Sequence, residues 1–430
     1  MTAGNPTIEA GPLATPAPLR RTLLFRVARV FFLVLIIIMP LEAVTAAREM
    51  ALVAAAFFLA LHLYVSGERR FRPTIVFWPL ALYVFAAGLS LVWAVDAAYS
   101  LRELRGEILK GLIVFYSAVH FVRWPQHLKQ GWGALLVGAA AMSLAGIVIY
   151  FIMGGDVLHH YVRAGSLHSG YGSFGTYLVT VWPFLLLAPR AFAHSRWRRA
   201  CQALIPLAAF CGYITFSRAT WAGMLVESLL CLVMISRHRW RTALVGLGLA
   251  GLVLVGALVL VPGSNHGERW SQLTKDPSQV GGTAGDLIAV WKHSWNYISR
   301  HPLQGIGLGR HSFSKKFPEF RRTHQPLLWH SHNMFIEIAL QTGLQGLAAL
   351  LWIFITLVVT FWPRDPPPPG RASSLFGGAL AVMVIGFSIR NLSDDFFVDD
   401  SALLFWLLAG LALGARYLDA GPKAREKEGA

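Results

Sequence analysis

The sequence predicts an all-α polytopic membrane protein with about twelve transmembrane helices, and three observations carry that prediction. Hydrophobic residues make up 55% of the 430 positions and charged residues only 14%, too little polar material to coat a soluble globule of this size. Mostly apolar runs, close to the roughly 20 residues a helix needs to cross a bilayer, recur along nearly the whole chain. Short basic or Gly/Pro-containing connections separate them, a pattern that fits helices and not a barrel.

Taken in order, the runs place spans at 24–41, 50–66, 74–94, 107–122, 132–153, 174–189, 200–215, 220–235, 242–262, 333–362, 374–390 and 401–418. Phe216–Ala219 leaves only a tight turn between two of them. The run 333–362 exceeds one crossing, so it either begins outside the hydrocarbon or tilts. Residues 1–22 are polar and Pro-rich, and the first apolar run leads straight into others, which reads as a span and not a cleaved signal.

Short connections rich in Lys and Arg stay cytoplasmic. One register puts Arg20/Arg21, Arg69/Arg70/Arg72, Arg123/Lys129, Arg190/Arg196/Arg198/Arg199, Arg237/Arg239/Arg241, Arg364/Arg371 and Lys423/Arg425/Lys427 on one side. Both termini are then cytoplasmic: a tail 1–22, nine helices in 23–262, an outer loop domain 263–332, three helices in 333–418 and a tail 419–430. The net charge of +16 is dealt out to successive turns and not gathered into one basic domain, so topology accounts for it without nucleic acid. Cys201, Cys211 and Cys231 all fall inside spans, which indicates neither a disulfide framework nor a CxxC metal site. Pro366–Pro369 reads as a stiff cytoplasmic spacer.

The same register places 154–173, 216–219, 262–329 and 391–400 on the outer side. The third segment is the longest, and Leu287, Val290, Trp291 and Ile298 give it amphipathic helical patterning over 286–300. Outer connections should be poor in arginine, and Arg163 and Arg218 break that rule. In TFSRATW an arginine facing lipid would cost about 2.5–3.5 kcal/mol, so Arg218 should face a polar cavity. Otherwise it snorkels to the headgroups or pairs with Asp394, Asp395 or Asp399. Arg163, in a longer loop, has solvation as its plain alternative. Guanidinium groups grip phosphate oxygens bidentately, so two of them at the outer surface suit a lipid pyrophosphate.

In WHSHNMFIEIALQTGLQG, residues 329–346, a polar loop turns into an apolar helix within a few positions. Phe335, Ile336, Ala339, Leu340 and Leu344 carry the helical pattern, which stands His332 and Asn333 at its N-terminus. The helix dipole there disfavours imidazolium and keeps the His332 ring ready as a base. The plain alternatives are a capping role for Asn333 and an interfacial one for His332. His330 and His332 also invite zinc, but the further ligands His324, Glu337, Asp394 and Asp395 lack recognised spacing, so no metal is expected. Gly343 and Gly346 read as close helix packing. GIGLGR at 305–310 matches a dinucleotide loop only superficially, since no βαβ unit surrounds it. Its expected part is a turn bringing backbone amides or Arg310 toward an anion.

These residues together resemble the O-antigen ligase and O-antigen polymerase superfamily of bacterial inner-membrane glycosyltransferases. The core of the likeness is His332-Asn333, nine residues, then Gly343-Leu344-Gln345-Gly346, directly after one large outer loop. Arg163-Ala164-Gly165 resembles the family's Arg/Gly stretch, Ser217-Arg218 its short Ser-Arg turn, and HPLQGIGLG at 301–309 the close of its loop helix. The likeness covers roughly 150–415; the first four spans are generic. One departure is that Asp286 and Leu287 stand where the family often carries an arginine ahead of the loop tryptophan, here Trp291. Arg310, Arg300 or Arg269 would have to supply that charge.

The resemblance implies a GT-C-like helical fold and transfer of a glycan from undecaprenyl pyrophosphate to an acceptor hydroxyl at the periplasmic face, with no cofactor. In the ligase version the donor carries O-antigen and the acceptor is the lipid A–core of lipopolysaccharide, in a Gram-negative inner membrane. His332 would be the base, Arg218, Arg163 and Arg310 would bind the donor pyrophosphate, and Asn333, His330, Ser217, Gly343 and Gly346 would support them. Ligase is favoured over polymerase because HSHN looks more like ligases and the loop arginine signal is blurred; protein O-glycosylation is a smaller alternative. A secondary transporter is the competing class, but no internal repeat is evident and the polar residues sit at the surface and not mid-membrane.

Overall fold

The computed structural model describes residues 19–68, 72, 74–158, 161–192, 195–242, 244–246, 248, 283–323 and 328–420. These form an all-helical bundle. Its elements are α1 (Leu19–Ile38), α2 (Thr45–Ser66), α3 (Phe77–Leu89), α4 (Ala97–Glu103), α5 (Lys110–Phe121), α6 (Pro125–Ile152), α7 (Tyr171–Ala191), α8 (Ser195–Ile214) and α9 (Arg218–Ile235). After the large loop begins come α10 (Thr283–Arg300), α11 (His311–Lys316), α12 (Pro318–Thr323), α13 (Met334–Phe361), α14 (Ala372–Arg390) and α15 (Asp399–Asp419).

Among the described residues, seven helices are long and apolar enough to cross a membrane: Glu42–Ser66 (a short 3-10 turn plus α2), α6, α7, α9, α13, α14 and α15. The apolar helix Phe77–Trp93 is shorter. Arg20, Arg21, Arg26 and Arg29 dilute α1, and Arg196, Arg198 and Arg199 dilute the first turn of α8. The expected span 242–262 lies almost entirely outside the described residues.

Helices α7, α14 and α15 are the most enclosed, with most of each apolar window buried against neighbours. Glycine allows the closest approach: a Cβ on Gly410 would stand 2.4 Å from Phe115 O, and one on Gly414 would stand 2.6 Å from Val119 O. The backbones of α15 and α5 therefore touch directly, the packing that small residues permit between apolar helices.

The large loop has its own small core. Val290, Ile298, Ile306, Phe313, Phe320 and Leu328 close over Ala339 and Leu340 on α13. The amphipathic pattern read from 286–300 thus appears as α10, with Val290 and Ile298 on its buried side.

α13 is two helices in one run. Gly343 adopts φ 76° and ψ 173°, a region essentially reserved for glycine, and breaks the helix there. Loop backbone fills the break: Ile306 N donates to Leu340 O (2.9 Å), Gly307 N to Gln341 O (3.3 Å), and Leu344 N to Pro302 O (2.8 Å). That accounts for the overlong apolar run, and it corrects the helix-packing role expected of Gly343 and Gly346. A Cβ on Gly343 would strike the Gln345 side chain, and one on Gly346 would strike Thr342 Oγ1, so both glycines serve the broken turn itself.

Candidate active site

His332 sits directly before the first turn of α13. Asn333 is the N-cap: its Oδ1 accepts Phe335 N (3.0 Å) and Ile336 N (3.1 Å), while its Nδ2 donates to Leu392 O (2.8 Å). The Asn333 side chain is thereby committed to capping and to the turn after α14. His332 itself takes a left-handed backbone, φ 48°, which a non-glycine residue holds only when its surroundings impose it.

Those surroundings are a buried polar network. Glu337 Oε2 accepts Ser331 N (2.8 Å), its Oε1 accepts Gln341 Nε2 (2.9 Å), and Gln341 Oε1 accepts Gly309 N (3.0 Å). From α10, Trp291 Nε1 donates to Ser331 O (2.9 Å). Residues on either side of His332 are therefore fixed from below by α13 and from above by the loop domain.

The turn 391–396 faces this element. Met334 N donates to both Asn391 O and Asp394 O (3.1 Å each), and Phe396 N donates to Asn391 Oδ1 (2.7 Å). This brings Asp394 Oδ1 to 3.2 Å from His332 Nδ1 and 3.9 Å from His330 Nε2. His330 Nδ1 accepts His332 N (3.1 Å), and the two imidazole rings lie 3.8 Å apart. Burial pushes His330 down to about 2 and keeps it neutral. Burial is the largest influence on the Asp394 carboxyl and would raise it; the hydrogen bond from His332 and the electrostatic pull of its surroundings, the Arg390 guanidinium included, outweigh it and hold Asp394 at about 2. Asp394 is thus an ionised acceptor, which selects the His332 tautomer with its proton on Nδ1 and its lone pair on Nε2. Asp395, next to it, is displaced upward by burial, with Arg310 opposing and Glu337 adding to the rise.

Aromatic faces organise the arginines. Arg310 stands 3.8 Å from Asp395 Oδ2 and lies over Trp329 and Phe396, 5.9 Å from each ring centre. Arg163 is exposed and lies over Tyr171 at 4.6 Å. Its loop is stitched to the end of α8 by Ala164 N donating to Ile214 O (3.0 Å). Arg218 is exposed at the first position of α9, with Ser217 as N-cap accepting Thr220 N at 3.4 Å. The aspartates weighed as its partners go elsewhere: Asp394 to His332 and Asp395 to Arg310. Of the arginines considered for the departed family position, Arg310 is at the site, Arg300 is exposed at the end of α10, and Arg269 lies outside the described residues.

GIGLGR is a threaded turn. Gly307 (φ 96°) and Gly309 (φ 93°) pack against Ala94, Tyr99, Ser100 and Glu103, where side chains would collide. Val95 N donates to Ile306 O (3.0 Å) and Ser100 Oγ to Leu308 O (3.2 Å). The Ile306, Gly307 and Gly309 amides are spent on protein partners, and the turn places Arg310 at the site.

His330, His332 and Asp394 offer three ligand atoms within 4.8 Å of one another, as a metal site would require. The His330 ring is engaged at Nδ1 by the His332 backbone N–H and the His332 ring at Nδ1 by Asp394, and among the described residues the group has no fourth member; His324 lies outside them.

Sequence reasoning missed Asp394 as the partner of His332, and it missed Arg390 altogether. Arg390 ends α14 at 3% exposure, lies over Phe396 at 4.6 Å and donates from Nη2 to Gly172 O at 3.2 Å. The available signal for it is an arginine closing an apolar span on the arginine-poor side.

Residues 203–351 match the family model described as O-antigen ligase. Over these residues the chain is similar to the O-antigen ligase superfamily. The match runs from α8 through Ser217-Arg218 and the loop to His332 and the Gly343 break, so it covers the element built around His332. The match supports an O-antigen ligase or polymerase type of function, and the long apolar helices indicate a multi-pass membrane protein. Arg163, Arg390 and Asp394 lie outside the matched stretch. No curated relative matches the chain.

Proposed function

We propose that the protein is an O-antigen ligase, transferring a glycan from undecaprenyl pyrophosphate to the lipid A–core of lipopolysaccharide at the periplasmic face of a Gram-negative inner membrane. The observation that carries this reading is the His332–Asp394 contact, with an ionised carboxylate fixing the tautomer of a histidine in strained backbone, in a cluster that includes the Arg310 and Arg390 guanidiniums. His332 Nε2 takes the proton of the acceptor hydroxyl. The acceptor oxygen attacks the anomeric carbon from the face opposite the leaving group, the C1–O bond to pyrophosphate breaks, and configuration inverts. Arg310, Arg163 and Arg218 hold the pyrophosphate and offset the charge it gains as it leaves. The guanidiniums provide this offset without a metal or a nucleotide. The described part of the loop, 283–323 and 328–332, roofs the site, and the proposed topology puts both termini in the cytoplasm.

The polymerase reading keeps this donor chemistry and changes the acceptor to a second lipid-linked glycan. The transporter reading would draw on the break in α13, since discontinuous helices coordinate ions through freed carbonyls. Here Leu340 O and Gln341 O are taken by loop amides, which removes that support.

The test is a gel assay of the purified protein with undecaprenyl pyrophosphate-linked glycan and rough lipopolysaccharide, beside a folded His332→Ala variant. A ladder on the lipopolysaccharide from the wild type alone supports the ligase and its base. Lengthening of the lipid-linked glycan with bare lipopolysaccharide means polymerase. No change in either, with saturable counterflow, means transport.

A further inference from the structure

Arg390 is a buried cation with an unmet demand. Its Nε is enclosed and lacks a hydrogen-bond partner, while Nη2 is spent on Gly172 O. A buried, partly unsatisfied charge destabilises a fold relative to an apolar side chain of similar size, so packing alone does not explain an arginine there. Its position joins the two halves of the site. On one side it grips Gly172, the neighbour of Tyr171, over which Arg163 lies. On the other it lies flat on Phe396, in the turn that carries Asp394. Gly172 makes this fit possible, because a Cβ there would stand 2.7 Å from Phe396 Cζ.

Resting on the reading of His332 as base, we propose that Arg390 is a positioning residue for the transfer step. Its guanidinium counter-charges the Asp394 carboxylate that orients His332, and it keeps the 391–396 turn in register with the Arg163 loop. The field of Arg390 is among the causes that keep Asp394 ionised. Among the described residues, the other charged or titratable groups facing this carboxylate and its turn include His330, His332 and Glu337 around the start of α13, Arg310 and His311 from the loop, Tyr171 from α7, Tyr83 from α3, Glu107 ahead of α5, and Asp395.

The test compares wild type, Arg390→Gln, Arg390→Lys and His332→Ala in the lipopolysaccharide transfer assay across pH. Arg390→Gln should lower kcat about tenfold or more while donor KM stays within about twofold, since orientation of the base and not donor binding is impaired. Loss of the cation also eases protonation of His332, so the acid limb of kcat/KM should move to higher pH. Arg390→Lys should restore the limb and most of kcat. Gly172→Ala, which leaves Arg390 in place but drives a methyl into Phe396, should lower kcat in the same sense and serves if Arg390→Gln does not fold. A wild-type kcat and pH limb in Arg390→Gln or in Gly172→Ala overturns the proposal, as does a loss that tracks thermal stability with the limb unmoved. An inactive His332→Ala beside a fully active Arg390→Gln removes this inference alone; a fully active His332→Ala removes the underlying reading.

Discussion

Asp394 and His332 are 62 residues apart in the chain and 3.2 Å apart in the fold, held there by the turn after α14 clamping the start of α13. An imidazole that donates from Nδ1 to a carboxylate is fixed in ring orientation as well as tautomer, and its other nitrogen is the basic one. Asp394→Asn replaces an acceptor with a group whose amide can present a donor to Nδ1. Transfer should fall by about 10²-fold or more, within the range set by loss of a positioned general base, with the helical content unchanged. Single-turnover transfer by the purified variant checks this; an Asp394→Asn enzyme within twofold of wild type would remove the dyad from the mechanism.

His330 gives a pH prediction. It is buried and stays neutral in the folded protein down to about pH 2, whereas the unfolded chain binds a proton near the ordinary value of 6.5. Its depressed value leaves stability intact above 6.5, and stability is lost as pH falls below it, because the unfolded state then holds more protons. The slope from this one group is about 1.4 kcal/mol per pH unit. His330→Gln cannot titrate and should melt with a flatter dependence between pH 6.5 and 5. Parallel wild-type and variant curves would show that His330 does not carry the effect. Asp394 acts in the same direction but lower, its contribution being lost as pH falls from the ordinary carboxylate range toward about 2.

Gly343→Ala should destabilise the protein by about 1–3 kcal/mol, the cost of holding a non-glycine residue in that backbone region. It should also increase protease cutting of the loop, since the break in α13 is where loop backbone and helix are joined. Melting and limited proteolysis read the two effects separately, and an alanine variant as stable as wild type would mean that the break does not depend on glycine.

Transfer should persist in EDTA. In the proposed mechanism the charges that offset the leaving group come from Arg310, Arg163 and Arg218, so chelation would remove nothing that step uses. Loss of activity in EDTA that zinc or another divalent ion restores would instead assign His330, His332 and Asp394 a ligating role.

The sequence made the helices legible because burial in lipid demands long apolar runs, and eleven of the twelve expected spans coincide with helices among the described residues. It also exposed His332, because a histidine at an abrupt polar-to-apolar boundary is unusual. The break at Gly343 stayed hidden, since 28 continuous helix-compatible residues conceal one dihedral angle. Glu337 and Gln341 were open to reading as an i, i+4 polar pair inside an apolar helix, a pattern that signals a buried network. The partnership of Asp394 with His332 was not, because nothing in local spacing says which charged residue of a later turn folds back onto a histidine sixty positions earlier.

The joint between Pro302–Gly307 and the broken turn of α13 bears on how this family can be engineered. A chimera that exchanges the loop at its apparent boundary, residues 263–332, would graft in a strand of backbone whose partners on the host helix are set by a different sequence. The exchangeable module ends beyond Gly346, inside what reads as a membrane span, and a donor loop transplanted with those extra turns of α13, about four of them, carries its own socket with it.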